Sequence, residues 1–255
     1  MKTPGFDPQR PNPARMYDYY LGGKDHFACD REAAERILEL APETRDLVRE
    51  NRGFLGRAVE FLVDAGVRQF LDVGAGIPAQ DSVHEIVART APESRVVYVD
   101  SDPVACAHAQ ALIDGDVLVL EADMRDPARI IAEAAKVLDF TRPVGLILAA
   151  VLHFIPDDAE AKAIMTGFRE AIVPGSWLIL SHGTAGGISA QTAKEGTLVY
   201  QKSSNPTRLR SREEISGFFE GFEQVEPGLV NVASWRCIQT ARAGAHMLGA
   251  VARRA

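Results

Sequence analysis

Apolar positions change their rhythm near residue 68. Before it they recur at helical spacing. In "PETRDLVRENRGFLGRAVEFLVDAG", Leu47, Phe54, Leu55, Val59 and Leu62 share one face of a helix, and Gly66 marks its stop. "DREAAERILEL" reads as an earlier helix with Asp30 as its N-cap. The first dozen residues, rich in proline and polar groups, predict a loose segment. From Gln69 onward, short apolar runs alternate with helical stretches. "QFLDV" leads to a helix ending about Arg89, and "RVVYVD" to one from Pro103. "VLVLEAD" leads to a helix from Pro127, and "VGLILAA" to one over Asp157 to Ala171. "SWLILSH" is a fifth run, and "FEQVEPG" and "ASWRCIQT" are expected to add the last, partly antiparallel strands.

Strand–helix alternation of this kind implies right-handed crossovers. It predicts an α/β, Rossmann-like fold, a mostly parallel seven-stranded sheet with helices on both faces. Residues 1–67 are expected to form an N-terminal arm and helical lid, and residues 68–255 the core. A cap insertion near 183–207, "GTAGGISAQTAKEGTLVYQKSSNP" and its flank, interrupts the core pattern. Arm and insertion both belong above the carboxyl ends of the strands, where open α/β sheets bind ligands.

Composition narrows the function. A net charge of −7 disfavours nucleic acid as the main partner, despite a local basic group at Arg208, Arg210 and Arg212. No signal peptide is visible, and the longest apolar run, Val144 to Ile155, is too short to span a bilayer. A cytoplasmic protein without a membrane partner is expected. Cys29, Cys106 and Cys237 lie far apart, and no histidine pair has metal-ligand spacing, so neither a disulfide framework nor a metal site is expected. Nothing specifies an oligomeric state.

Three acids fall at predicted strand ends: Asp72 in "LDVGAG", Asp100 in "VVYVD" and Asp123 in "VLEADM". A parallel sheet brings all three to one rim. Each alone can cap a helix or face water; together they need a shared reason, because buried charge is costly unless paired. A dinucleotide would use the glycine turn for its pyrophosphate and Asp100 for a ribose. Asp72 would then set negative charge beside the pyrophosphate. S-adenosylmethionine uses all three acids. Its ammonium suits Asp72, and Gly74, Ala75 and Gly76 admit the methionyl group without crowding. Asp100, with Ser101 beside it, accepts from the ribose hydroxyls. Asp123 accepts from the adenine amino group, and the Met124 backbone serves the ring. Ala150, after the fourth strand, completes the cofactor-binding set.

The order "LDVGAG", "VVYVDSDP", "EADMRDP", "ILAAVLHFIPD" resembles the motif series of class I methyltransferases. More narrowly, "ARMYDYYLGGKDHFACDREAA", "VLHFIPDD" and "VEPGLV" are similar to an actinobacterial family of S-adenosylmethionine-dependent methyltransferases known as DUF574. The resemblance covers roughly residues 12–237. It implies a class I methyltransferase fold and S-adenosyl-L-methionine as cofactor, with no particular substrate. Pro78 stands where many methyltransferases carry a third glycine.

The expected activity is transfer of a methyl group to a small-molecule acceptor. The alternatives are a non-catalytic binder of S-adenosylmethionine or S-adenosylhomocysteine, and an NAD-dependent oxidoreductase. Positioning alone can supply much of the acceleration, so a base is not obligatory. The candidate catalytic groups are His153, as a base after the fourth strand, and Tyr20, in the arm. Substrate or lid contacts are expected from Tyr17, Lys24 and His26 in "MYDYYLGGKDHF" and from His182 at the end of the fifth strand. Each of these residues also has a purely structural reading, as core tyrosine, paired lysine or hydrogen-bonded histidine.

Overall fold

In a computed structural model, the chain is described over residues 7–112, 117–237 and 246–255. Three helices come first: α1 (Pro13–Leu21), α2 (Ala28–Leu40) and α3 (Thr44–Asp64). Five strands then alternate with helices: β1 (Gln69–Val73), α4 (Val83–Thr90), β2 (Arg95–Asp100), α5 (Pro103–Leu112), β3 (Val117–Glu121), α6 (Pro127–Ala134), β4 (Gly145–Ala149), α7 (Asp158–Ala171) and β5 (Trp177–Gly183). The chain closes with α8 (Ala190–Gln201), α9 (Arg212–Ser216), β6 (Phe222–Gln224), β7 (Val230–Asn231) and β8 (Met247–Arg254).

The sheet order is β3-β2-β1-β4-β5-β8-β6, with β7 paired to β8 off that path. Strands β1 to β5 are parallel, with Leu71 opposite Val97 on one side and Leu146 on the other. β8 runs antiparallel to β5 and β6. The main path therefore has the seven strands expected, and the two-residue β7 makes an eighth. One expectation fails here. Among the described residues "ASWRCIQT" supplies no strand: residues 233–236 form a turn, and residues 238–240 lie outside the described residues. The antiparallel partner of β5 is instead Met247–Arg254.

Alternate side chains of each central strand enter opposite layers. Leu71, Val97, Leu146 and Leu148 pack with Ile130 of α6 and Phe168 of α7. Phe70, Val96 and Ile147 pack with Phe54 and Leu62 of α3 and Ile86 of α4. A third, smaller cluster holds the arm together: Met16 and Tyr20 of α1, Ala34 and Ile37 of α2, and Val48 of α3.

Asp30 is not the N-cap of α2, which is Phe27. The helix begins two residues earlier, and the buried Asp30 carboxylate accepts from the backbone N–H groups of Phe27 and Asn12, each at 2.8 Å. The same carboxylate lies 3.0 Å from the Arg15 guanidinium, which also faces Asp102 at 3.6 Å. Arg15 thus joins α1 to α2 and to the loop after β2. Asn12 is the residue that caps α1, accepting from Ala14 N–H at 2.8 Å.

Candidate active site

The strand order reverses between β1 and β4, and a cleft opens at their carboxyl ends. It encloses about 1120 Å³, including the space at its open mouth. Its floor is the turn after β1. Gly74 takes φ +78° and Gly76 φ +69°, conformations that favour glycine. A Cβ on Gly74 would stand 2.1 Å from Val151 Cγ2, so the turn passes beneath that side chain only as glycine. The Gly74 and Ala75 N–H groups both donate to Val99 O, at 2.8 and 3.1 Å.

Two acids flank this turn. Asp72 is buried, and among the described residues no hydrogen bond reaches its carboxylate. Loss of hydration pushes its pKa up to about 7, against a smaller opposing pull from Arg52. The Asp100 carboxylate accepts from Gly76 N–H through one oxygen and Asp102 N–H through the other, each at 2.8 Å. Burial still raises it to about 6, because two backbone donors offset desolvation only in part. Asp123, Met124 and Ser101 line the far end. Asp123 is exposed and held by Arg125, whose guanidinium lies 3.2 Å away and whose N–H donates to it at 2.9 Å.

Across the cleft stand Asn12, Ala14, Tyr17 and Asp18 of the arm, with Asn51, Arg52 and Leu55 of α3. Asn51 and Arg52 are absent from the expected site. Their signal was present: Asn51 falls on the face of α3 that carries Val48 and Leu55, a polar residue at a core-facing position. Arg52 donates to Gln80 O and Asp81 O at 3.2 and 3.0 Å and so holds the glycine turn's trailing segment.

A second cavity adjoins the first and shares Pro13, Tyr17, Ala150 and Phe154 with it. Ala150 adopts φ +54°, uncommon for a residue with a Cβ. Its N–H is bound by Ser181 Oγ at 2.9 Å and Ser181 O at 3.1 Å, which fixes the bend between the two cavities. Tyr20 and His153 line the second cavity and not the first. The Tyr20 hydroxyl lies 3.5 Å from that of Tyr200, and burial raises its pKa well above 10.

His153 is held by a hydrogen bond. Its Nδ1 accepts from Gly183 N–H at 3.3 Å, which places the ring proton on Nε2. The lone pair a base would use is therefore engaged. Burial, with His182 and Arg210 nearby, holds the ring pKa well below 6.5, so the imidazole is neutral. His182 is held at both ring nitrogens. Its Nδ1 donates to Gly183 O at 2.7 Å and its Nε2 accepts from Arg210 at 3.0 Å. It is fully buried and lines neither cavity. Lys24 is exposed, and His26 pairs with Asp18 at 2.9 Å; neither lines a cavity.

The cleft fits S-adenosylmethionine better than a dinucleotide. A pyrophosphate at the glycine turn would meet Asp72, and α4 begins only at Val83, seven residues beyond Gly76. In a dinucleotide site that helix N-terminus would stand against the phosphates. A cationic ligand with donor hydroxyls instead meets two acids whose charge is poorly compensated by the protein.

A sheet of this order, with an acid-lined cleft at its switch point, defines a Rossmann-like class I methyltransferase. The comparisons agree. A family model described as "S-adenosyl methyltransferase" matches residues 1–255, and the chain belongs to that family. A DUF574 family protein from Streptomyces avermitilis MA-4680 is 40% identical, with 98% of this chain and 99% of that one covered and a TM-score of 0.91. A candidate methyltransferase from Thermobifida fusca YX is 34% identical, with 98% and 97% covered and a TM-score of 0.91. The N-methyltransferase NodS of Bradyrhizobium japonicum WM9 shares the fold at 16% identity and a TM-score of 0.51, with 83% and 98% covered. A search of curated proteins found no match. The protein is an S-adenosylmethionine-dependent methyltransferase. Among the described residues no helix is long and apolar enough to cross a membrane.

Proposed function

We propose that the enzyme methylates a small molecule, with the cofactor held by Asp72, Asp100 and Asp123 around the Gly74–Ala75–Gly76 turn. The observation that carries this reading is the pair of acids at β1 and β2, raised to about 7 and about 6, beside a turn that only glycine can make. Bound S-adenosylmethionine supplies a methyl carbon made electrophilic by its sulfonium. Asp72 attracts the cofactor's ammonium and is drawn into its charged form by it. Each Asp100 oxygen takes one backbone donor and keeps a lone pair for a ribose hydroxyl. Ser101, Met124 and Ala150 shape the rest of that surface.

The arm serves as a lid. Ala14 and Tyr17 of α1 border the cleft, and Arg15 anchors the helix to Asp30 and Asp102. Closing this side excludes water and restricts the acceptor's approach, so positioning supplies the main part of the acceleration. The lid is formed by α1 and α2, whereas α3 packs on the sheet through Phe54 and Leu62, and the insertion near 183–207 adds a second wall through α8. Tyr17 stands where the two cavities meet and offers its ring to the sulfonium. His153 acts as a hydrogen-bond donor and not as a base.

The test is production of S-adenosylhomocysteine from S-adenosylmethionine with a fractionated small-molecule extract. Turnover that depends on a low-mass fraction and falls in Asp100→Ala supports the reading. Turnover only with a macromolecular fraction contradicts it.

A further inference from the structure

The second cavity lies over the ends of β4 and β5, between α1, α2 and α8, and encloses about 1000 Å³ with its mouth. It meets the cofactor cleft at Tyr17, Ala150 and Phe154. A molecule seated in it therefore reaches the reacting end of the first cleft. Its walls are mostly hydrocarbon: Ile37, Leu40, Leu47, Val48, Leu209 and Met247 contribute. Among the described residues that line it, Glu43 is the one Asp, Glu, Lys or Arg, and that carboxylate faces His246 at 3.3 Å.

Several polar side chains of the wall turn back onto the protein, while the Tyr20 and Tyr200 hydroxyls face each other at 3.5 Å. Thr44, Thr197 and Thr207 donate to Ala41 O, Ala193 O and His153 O, at 2.7, 2.8 and 3.2 Å. The Tyr17 hydroxyl donates to Val48 O and accepts from Asn51, both at 3.0 Å. His153 differs. Gly183 N–H occupies its Nδ1, and among the described residues no partner takes its Nε2 proton. That proton is a fixed donor on a neutral ring at the floor of the cavity.

We infer that this cavity is the acceptor pocket, and that the acceptor is an uncharged, mainly apolar small molecule that presents a hydroxyl or carbonyl oxygen to His153 Nε2–H. The inference rests on the methyltransferase reading of the first cleft and adds the substrate class. An ionised acceptor would lose its hydration in these walls, and the one carboxylate there, Glu43, is already turned to His246. An apolar body gains by burial, and one oriented oxygen fixes its direction relative to the cofactor cleft. Amino acids, nucleotides and carboxylates are thereby disfavoured.

Equilibrium dialysis of the full chain, saturated with S-adenosylhomocysteine, tests this with matched bicyclic probes. These are 2-naphthol, 2-methylnaphthalene, 2-naphthoate and protonated 2-(aminomethyl)naphthalene. The expected result is 2-naphthol binding at least about tenfold tighter than either charged probe. Gly196→Trp fills the cavity from α8, where a Cβ meets nothing closer than Ile37 Cδ1 at 3.9 Å. It should weaken 2-naphthol at least about tenfold and leave S-adenosylhomocysteine affinity unchanged, since Gly196 does not border the first cleft. His153→Phe should weaken 2-naphthol about three- to tenfold, the scale of one hydrogen bond, and leave 2-methylnaphthalene unaffected. A mere packing defect would weaken both. Charged probes binding as tightly as 2-naphthol, no 2-naphthol binding to the loaded protein, or binding indifferent to Gly196→Trp would each overturn the inference. Failure of S-adenosylhomocysteine itself to bind, visible before any probe is added, would overturn the cofactor reading instead.

Discussion

The Asn51 side-chain amide donates to the Tyr17 hydroxyl at 3.0 Å and so ties α3 to the arm. On its other side Asn51 Oδ1 accepts from Ser181 Oγ at 2.7 Å, and Ser181 Oγ accepts from Ala150 N–H at 2.9 Å. One buried chain thus runs from the bend after β4 to the helix that borders the cofactor cleft. Arm position and site geometry share this support.

Asn51→Ala should therefore cost about 1–3 kcal/mol, because it strands the Ser181 hydroxyl and one side of Tyr17 in a buried place. Tyr17→Phe should cost about 1 kcal/mol. Urea unfolding of both single variants and the double variant checks the link. A coupling of about 0.5 kcal/mol or more is expected between them. Strict additivity would show that the chain of hydrogen bonds carries no shared energy.

The pH dependence follows from Asp72. Its folded pKa of about 7 lies above the ordinary value near 3.8. The folded protein therefore binds this proton more tightly than the unfolded chain does. The resulting stabilisation is complete below the unfolded value and fades as pH rises through about 7. The cofactor-free protein should accordingly lose stability as pH rises from about 4 to about 7. Asp72→Asn should flatten that profile and raise the Tm at pH 8 by about 3 °C or more. Ligand affinity should run the other way, since the ammonium prefers the ionised carboxylate. S-adenosylhomocysteine binding should tighten as pH rises through about 7, and Asp72→Asn should abolish the trend. Scanning calorimetry and binding titrations across pH check both arms.

Arg15 carries a different prediction. It is buried between Asp30 and Asp102, both also buried. Arg15→Ala leaves two carboxylates in low dielectric without their cation and should cost about 3–5 kcal/mol. The arm should then be cut by protease at enzyme levels that spare the wild type, and S-adenosylhomocysteine affinity should fall. An Arg15→Ala protein with wild-type stability and an intact arm would show that the ion pairs are incidental.

The parallel half of the fold was legible because strands buried on both faces are written as unbroken apolar runs, such as "GLILA" between α6 and α7. β8 was not. Its "MLGAVARR" offers small residues where β-branched ones would signal a strand. The reason is packing: a Cβ on Gly249 would stand 3.0 Å from the Phe54 ring and from Val232. Asp30 shows a similar limit. An acid before an apolar run looks like an N-cap, and its true partners, Asn12 N–H and Arg15, come from another helix.

The acids of the cleft were legible because each follows or ends a strand, and a parallel sheet gathers such ends on one rim. The hydrogen bonds of the histidines were not. His153 and His182 owe their tautomers to Gly183 and Arg210, neighbours that only the folded sheet and the segment before α9 bring near. A sequence marks such a histidine as a candidate base, whereas its hydrogen bonds determine whether a lone pair remains.

The central claim is that the acids around the Gly74–Gly76 turn hold an adenosyl ligand. Isothermal titration of the wild type and Asp100→Ala with S-adenosylhomocysteine and with NAD tests it most directly. The account predicts S-adenosylhomocysteine binding, no comparable NAD binding, and a loss of about 1.5–3 kcal/mol in Asp100→Ala, the scale of hydrogen bonds to a charged group. NAD binding in place of S-adenosylhomocysteine, or an Asp100→Ala protein that is folded and binds as the wild type does, would contradict it.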